Sequence, residues 1–335
     1  MTSDERPPLI RREGARKSAM LARTADNLFW LARYMERADF LARIVEATQR
    51  LAALPRAYSG AGTEWDSALA SAGAENAFYA LNEVADEANV VEFLTFDPRN
   101  PSSICNCIAQ ARNNARAVRT ALTVEVWDAI NGSWLELRRF EDAHRKDHTR
   151  EALSRFLEFV KRMSLIVDGS AYRTLLRDDG YWFSRLGLFM ERADNTARIL
   201  DVKYHVLLPE TESVGGSLDY FQWTAILRAV SALTAYRHVY HQSVTPYYVA
   251  DLLILRPEMP RSLIACYGDI VLNLDAIGRQ YGRQGPAQRQ ARKMMAQLEN
   301  SSMREIFRDG LHEFIQAFLD DNNRLGAIIA EQFLV

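Results

Sequence analysis

The sequence predicts an all-α protein: a helical bundle built from two tandem repeats related by a pseudo-two-fold axis. Three observations lead there. Ala, Leu, Arg, Glu and Met dominate long stretches in which apolar residues recur every three or four positions. Glycine and proline are few, 16 and 10 in 335 residues, and they cluster into breakers. The ten residues 35–44, MERADFLARI, return 155 residues later at 190–199 as MERADNTARI, with eight positions identical. No strict alternation of polar and apolar residues is long enough for a sheet.

Taken in order, residues 1–18 carry basic side chains without an apolar stretch of signal-peptide type, and they read as a disordered tail. Residues 19–335 read as one all-α domain. Its helices are expected over 19–54, 64–83, 102–131, 150–176, 181–208, 218–242, 262–281, 286–300 and 303–333. Breakers fall between them at 58–62, 97–101, 178–180, 215–216 and 284–286. Repeat one covers about 20–165 and repeat two about 180–335. Further landmarks keep the register. Trp65 and Leu69 match Trp223 and Leu227, and Phe78 matches Tyr236, at an offset of 158. Asn100-Pro101-Ser102-Ser103-Ile104 matches Met259-Pro260-Arg261-Ser262-Leu263 at 159, which sets Cys107 on Cys266. Each half alone would leave an apolar face uncovered, so the two are expected to pack together with their ERAD helices face to face.

Composition excludes several classes. A net charge of -2 offers no basic field for nucleic acid. No apolar run reaches the roughly 18 residues that span a membrane, so no membrane partner is expected and the cytoplasm is the default location. Three cysteines, Cys105, Cys107 and Cys266, do not make a disulfide framework. Two residues apart on a helix, Cys105 and Cys107 point in directions about 200° apart and would not share a ligand. They read as buried small hydrophobes.

The ERAD helix is apolar almost all round, the signature of a buried helix. At about 100° per residue, Glu36 shares a face with Phe29, Ala32 and Arg43, with Asp39 about 60° to one side and Arg37 about 100° to the other. Its charges therefore need partners, because desolvating an ion costs several kcal/mol. Asp39 and Arg43 are i,i+4 and can pair; Glu36 must look to another helix. Glu191, Arg192, Asp194 and Arg198 repeat the set, and Ala32 and Gly187 are matching small residues that let another helix approach closely. Two readings stay open. The carboxylates and guanidiniums form a structural ion-pair network, or some of them line a central pocket in which arginine forks hold a substrate carboxylate or phosphate.

Other constellations are weaker. The repeated carboxylates resemble a di-metal bundle site, but Glu-x-x-His occurs only at Glu141/His144, and Arg43 and Arg198 would repel a cation. His144 and His148 are i,i+4 within EDAHRKDHTR, which reads as solvent-exposed, and His238 and His241 lie on an aromatic helix. No phosphate- or dinucleotide-binding glycine motif is present, so no cofactor and no metal is expected. Arg112, Arg116 and Arg119 make a one-sided arginine stripe without a counterpart in the second half: an exposed helix face, or a place where function has diverged.

These residues resemble the bacterial alpha-E family, named for its Glu-Arg motif. The likeness lies in Phe29-Trp-Leu-Ala-Arg-Tyr-Met-Glu36-Arg37-Ala-Asp39, in the run from Gln110 to Arg119 with Val126-Trp127-Asp-Ala-Ile-Asn131, and in the run from Leu186 through Glu191-Arg192-Ala-Asp194 to Tyr204. It covers nearly the whole chain after residue 18. Leu188 departs from the pattern, where the first copy has Arg33. The resemblance implies two partners, encoded beside or fused to family members: a circularly permuted ATP-grasp protein and a transglutaminase-like protein. It further implies an accessory or substrate-handling role in forming or modifying peptide or amide bonds. On that reading the ATP-grasp partner activates a carboxylate and the helical chain holds an amino-acid-like or peptide substrate. Alternatively, the chain is a scaffold that docks the two.

Overall fold

The computed structural model describes residues 22–53, 64–205 and 217–334. The expected tail 1–18 and the breakers at 58–62 and 215–216 lie outside them. Among the described residues the protein is all-helical, with no strand. The first half runs α1 (Ala22–Ala52), α2 (Glu64–Ala72), α3 (Glu75–Tyr79), α4 (Glu87–Thr95), α5 (Ile104–Ala117), α6 (Val124–His144) and α7 (Arg150–Thr174). The second runs α8 (Asp179–His205), α9 (Ser217–Ala229), α10 (Leu233–Tyr240), α11 (Pro246–Ile254), α12 (Leu263–Tyr281), α13 (Pro286–Asn300), α14 (Met303–Asp309) and α15 (Leu311–Ile329).

The centre is the α1–α8 pair. α1 packs along α8 and is also covered by α5, α7 and α9, while α8 is covered by α2, α12 and α15. That explains why an apolar stripe does not suffice for α1, which buries Leu28, Leu31, Met35, Ala38, Leu41 and Val45 on different faces. Around this pair the matched landmarks of the two halves are all buried: Trp65 and Trp223, Leu69 and Leu227, Phe78 and Tyr236, Cys107 and Cys266. The three cysteines are free thiols. Burial pushes the Cys107 and Cys266 thiols up to about 12, so they act as apolar filling.

Local chemistry sets the ends of the helices. Ser103 and Ser262 cap α5 and α12 by accepting from the backbone N–H of Asn106 and Ala265. Thr123 and Thr149 do the same for α6 and α7, and Pro246 and Pro286 open α11 and α13.

Four expected helices are subdivided. The segment 64–83 breaks at Gly73 and 218–242 at Ser231, both left-handed, with φ +62 and +57. Each turn closes with the same two backbone bonds, Gly73 to Ala70 and Ala74 to Leu69, Ser231 to Arg228 and Ala232 to Leu227. The segment 102–131 is α5 and α6, joined by a 3-10 turn at Arg119–Ala121, because Leu122 is extended and Thr123 caps a new helix. The segment 303–333 divides at Gly310. Two short helices were not expected at all, α4 and α11, of nine residues each.

Candidate functional site

Glu36, Arg37, Glu191 and Arg192 meet between α1 and α8, and the other four charges of the two ERAD segments pair within their own helices. Arg37 donates to Glu191 through Nε at 2.5 Å and Nη2 at 3.1 Å. Reciprocally, Arg192 donates to Glu36 through Nε at 3.1 Å and Nη2 at 2.9 Å. Both are two-pronged contacts, the geometry in which guanidinium and carboxylate bind best. The i,i+4 pairs also form, Arg43 to Asp39 at 2.8 Å and Arg198 to Asp194 at 2.6 Å.

Each glutamate takes a second arginine, and these come from different places. Arg33, one turn before Glu36, donates to Glu191 at 2.7 Å. The matching residue Leu188 is apolar, so Glu36 is served by Arg261 instead, from the loop before α12, at 2.6 Å. Arg261 also reaches Asp39 at 3.0 Å, and its own carbonyl accepts from Thr196 Oγ1 at 2.8 Å. At the place matched to Arg261 stands Ser102, which accepts from Arg37 Nη1 at 3.3 Å. Sequence reasoning noted the missing arginine at Leu188. It did not find Arg261, whose only signal was an arginine opposite Ser102 in the aligned loops.

The electrostatics follow. Burial alone would raise the Glu36 carboxyl, but the charges and hydrogen bonds of Arg192 and Arg261 overcome it and hold it well below the usual carboxylate range. Burial likewise raises Glu191, and Arg37 and Arg33 bring it down to about 2. The guanidiniums of Arg37 and Arg192 are driven up, since attraction to Glu191 and Glu36 outweighs burial. The four groups are therefore ions at any physiological pH.

Two adjoining cavities open beside the α8 half of this network. One, of about 190 Å³, is bordered by Arg37, Glu191, Asp194, Asn195 and Arg198. The other, of about 280 Å³, shares Gly73 and Arg198 with it and reaches Glu75 and Asp201.

The other candidates lie elsewhere. The three arginines expected to share one helical face do not. Arg112 stacks over Trp134 at 3.9 Å and donates to Asn131 at 3.0 Å. Arg119 lies past the end of α5, over Trp127 at 5.0 Å, and Arg116 is exposed. The α5–α6 turn redirects the chain, so Arg112 and Arg119 bind α6 to its neighbour by cation–π contact. His144 is not free in solvent. It stacks on Phe96 at 3.8 Å and bonds Glu92 at 2.7 Å, lining a cavity of about 680 Å³ with Phe140 and Phe156. Among the described residues no cluster of three or more His, Cys, Asp or Glu could hold a metal, and no helix is long and apolar enough to cross a membrane.

A reciprocal Glu-Arg pair between two long helices is thus the centre of the molecule. Residues 20–334 match the Alpha-E family, described as a predicted alpha-helical domain with a conserved ER motif. The chain belongs to the Alpha-E family. Curated relatives of this Alpha-E chain include uncharacterised proteins of Mycobacterium bovis (strain ATCC BAA-935 / AF2122/97) and of Mycobacterium tuberculosis (strain CDC 1551 / Oshkosh). Each is 23% identical over 315 residues, covering 86% of this chain and 34% of the relative. The chain therefore spans about a third of the length of the curated relatives it matches. No solved structure matches it.

Proposed function

We propose that this Alpha-E chain is a non-catalytic helical component of an ATP-grasp-linked system that forms or modifies peptide or amide bonds. It docks a circularly permuted ATP-grasp partner and a transglutaminase-like partner, and its Glu/Arg/Asp set is the ion-pair clamp that keeps the docking body rigid. One observation carries this reading. Every carboxylate of the set is held by arginine: Glu36 by two, Glu191 by two, Asp39 by two, both on its Oδ2, and Asp194 by one. A general base works best with a pKa near the operating pH, and a carboxyl held at about 2 is a poor one. The relatives are also about three times as long as the matched stretch, which leaves room in their chains for a fused partner domain.

The test is co-purification with a circularly permuted ATP-grasp protein of the kind that the family resemblance implies, using wild type and Arg37→Ala. The clamp reading expects a lower melting temperature for Arg37→Ala, with partner binding and ligation unchanged per folded molecule. Ligation lost at an unchanged melting temperature would overturn it. It would favour a second reading, a substrate-handling pocket formed by the same charges, for which the cavity beside Arg37 and Arg198 speaks.

We also infer that the two halves are pseudo-two-fold repeats packed face to face. The reciprocal Arg37–Glu191 and Arg192–Glu36 pairs, the caps Ser103 and Ser262, and the left-handed turns at Gly73 and Ser231 support it, each at its sequence offset. If the relation holds, Arg261→Ser will lower the melting temperature. Adding Leu188→Arg will restore most of the loss, because the new arginine stands to Glu36 as Arg33 stands to Glu191. A double variant no more stable than Arg261→Ser alone would count against the symmetry.

A further inference from the structure

We infer that the cavity of about 190 Å³ beside α8 is a binding site for a small carboxylate, with Asn195 and Arg198 as its principal donors. The inference goes beyond the clamp reading and rests on the matched register of the two halves. It begins with the only two positions at which the ERAD decapeptides differ, Phe40/Asn195 and Leu41/Thr196. Thr196 has a structural partner, the carbonyl of Arg261. Asn195 has none. It is 5% exposed, it borders the cavity, and its amide nitrogen has no hydrogen-bond partner among the described residues. Buried polar side chains are almost always paired, so a donor kept here calls for an acceptor from outside the chain.

Arg198 adds a second donor set. Its Nε is held by Asp194, while its terminal nitrogens have no hydrogen-bond partner among the described residues, and the residue borders both polar cavities. The matching residue Arg43 donates its Nη1 to Ser231 Oγ at 2.7 Å. Opposite Arg198 the left-handed turn carries Gly73, which has no hydroxyl to offer.

The cavity itself arises from three such differences. Where one side of the network has Phe40, Ser231 and Arg261, the other has Asn195, Gly73 and Ser102, each smaller. The second arginine on Glu191 comes from Arg33 on the opposite flank, which leaves the Ser102 side vacant. The charged residues that line the cavity balance, Arg37 and Arg198 against Glu191 and Asp194. A lining without excess positive charge suits a monoanion such as a carboxylate better than a phosphate dianion. The volume is about six times a water's share of the liquid, ~30 Å³, enough for the head of an amino acid or the carboxyl end of a peptide.

The test uses the full chain and defined probes. Acetate, glycine, trialanine and inorganic phosphate are titrated at millimolar concentrations, with the melting temperature and the side-chain amide resonance of Asn195 as readouts. Acetate and glycine are expected to raise the melting temperature by about 2–4 °C at roughly tenfold excess over Kd, and to shift the Asn195 amide. Asn195→Leu and Gly73→Ser should each weaken the response at least tenfold. The first removes the donor; the second supplies the hydroxyl that ties down Arg43 in the other half. A trialanine response equal to that of glycine assigns the site to peptide termini, and its absence assigns it to free amino acids. No carboxylate-induced movement of the Asn195 amide in wild type would overturn the proposal, whatever the variants do. Phosphate binding more tightly than acetate, or unchanged responses in both variants, would do so too. None of these readouts involves the ATP-grasp partner, so the site and the clamp reading fail separately.

Discussion

Glu36→Ala will cost about 3–5 kcal/mol, because it leaves two guanidiniums in the interior without their carboxylate. Arg192 loses both of its hydrogen bonds to protein, and Arg261 keeps only Asp39. Their side chains are each 14% exposed, so water replaces little of what is lost. In a chain of this size the melting temperature should fall by roughly 4–7 °C. Acid should reproduce part of the effect in the unaltered protein. The Glu191 carboxyl lies near 4.5 when free and at about 2 in the fold, and Glu36 is lowered as well. A lowered folded-state pKa contributes stability that is complete above the free value and is lost as pH falls through the folded one. Thermal melts should therefore hold level down to about pH 5 and then drop toward pH 2, more gently in Glu191→Gln. A Glu36→Ala protein melting with wild type, or an acid limb no different in Glu191→Gln, would show that the network contributes nothing to stability.

Gly187→Ala should be as damaging, with a sign opposite to the usual one. In an exposed helix interior alanine is favoured over glycine by about 1 kcal/mol. At Gly187 a Cβ would stand 2.9 Å from the carbonyl carbon of Phe29 and 3.1 Å from its Cα, and closer still to its carbonyl oxygen. All three are backbone atoms of α1, so no rotamer relieves the clash. The helices must separate, one turn from the Arg37–Glu191 and Arg192–Glu36 contacts that need them in place. We expect a loss of ~3 kcal/mol or more, at or above the upper end for overpacked cores. Gly169 and Gly268, with nothing within 4 Å of a built Cβ, are the controls, and alanine there should be neutral or stabilising. Gly187→Ala melting with those controls would mean that the α1–α8 contact is looser than described.

Some of this was legible in the sequence because it depends on local rules. The Asp39–Arg43 and Asp194–Arg198 pairs follow from i,i+4 spacing, and the burial of α1 follows from its lack of a polar face. The close approach at Gly187 was readable as a small residue one turn before a buried charge. Where the reading failed, the deciding residue acts through one torsion angle or one cap. Ser231 at φ +57 divides a segment of helix formers without the glycine that would have announced the break. Val118, off helical geometry at φ -116 and ψ 29, ends α5 before Arg119 and so cuts the stripe of Arg112, Arg116 and Arg119.

The sequence by itself determined the all-α class, the membership marked by the Glu-Arg motif, and the requirement that eight charges on two buried helices find partners. Those are consequences of periodicity and of the cost of desolvation, both carried by each segment alone. Only the tertiary structure decided which partner each charge takes. Glu36 and Arg261 are 225 residues apart in sequence, and their pairing depends on where a loop before α12 comes to rest. The cavity beside Asn195 was likewise undecided until folding, because it is the volume left over by side chains from several separate segments, and no segment encodes a space by itself.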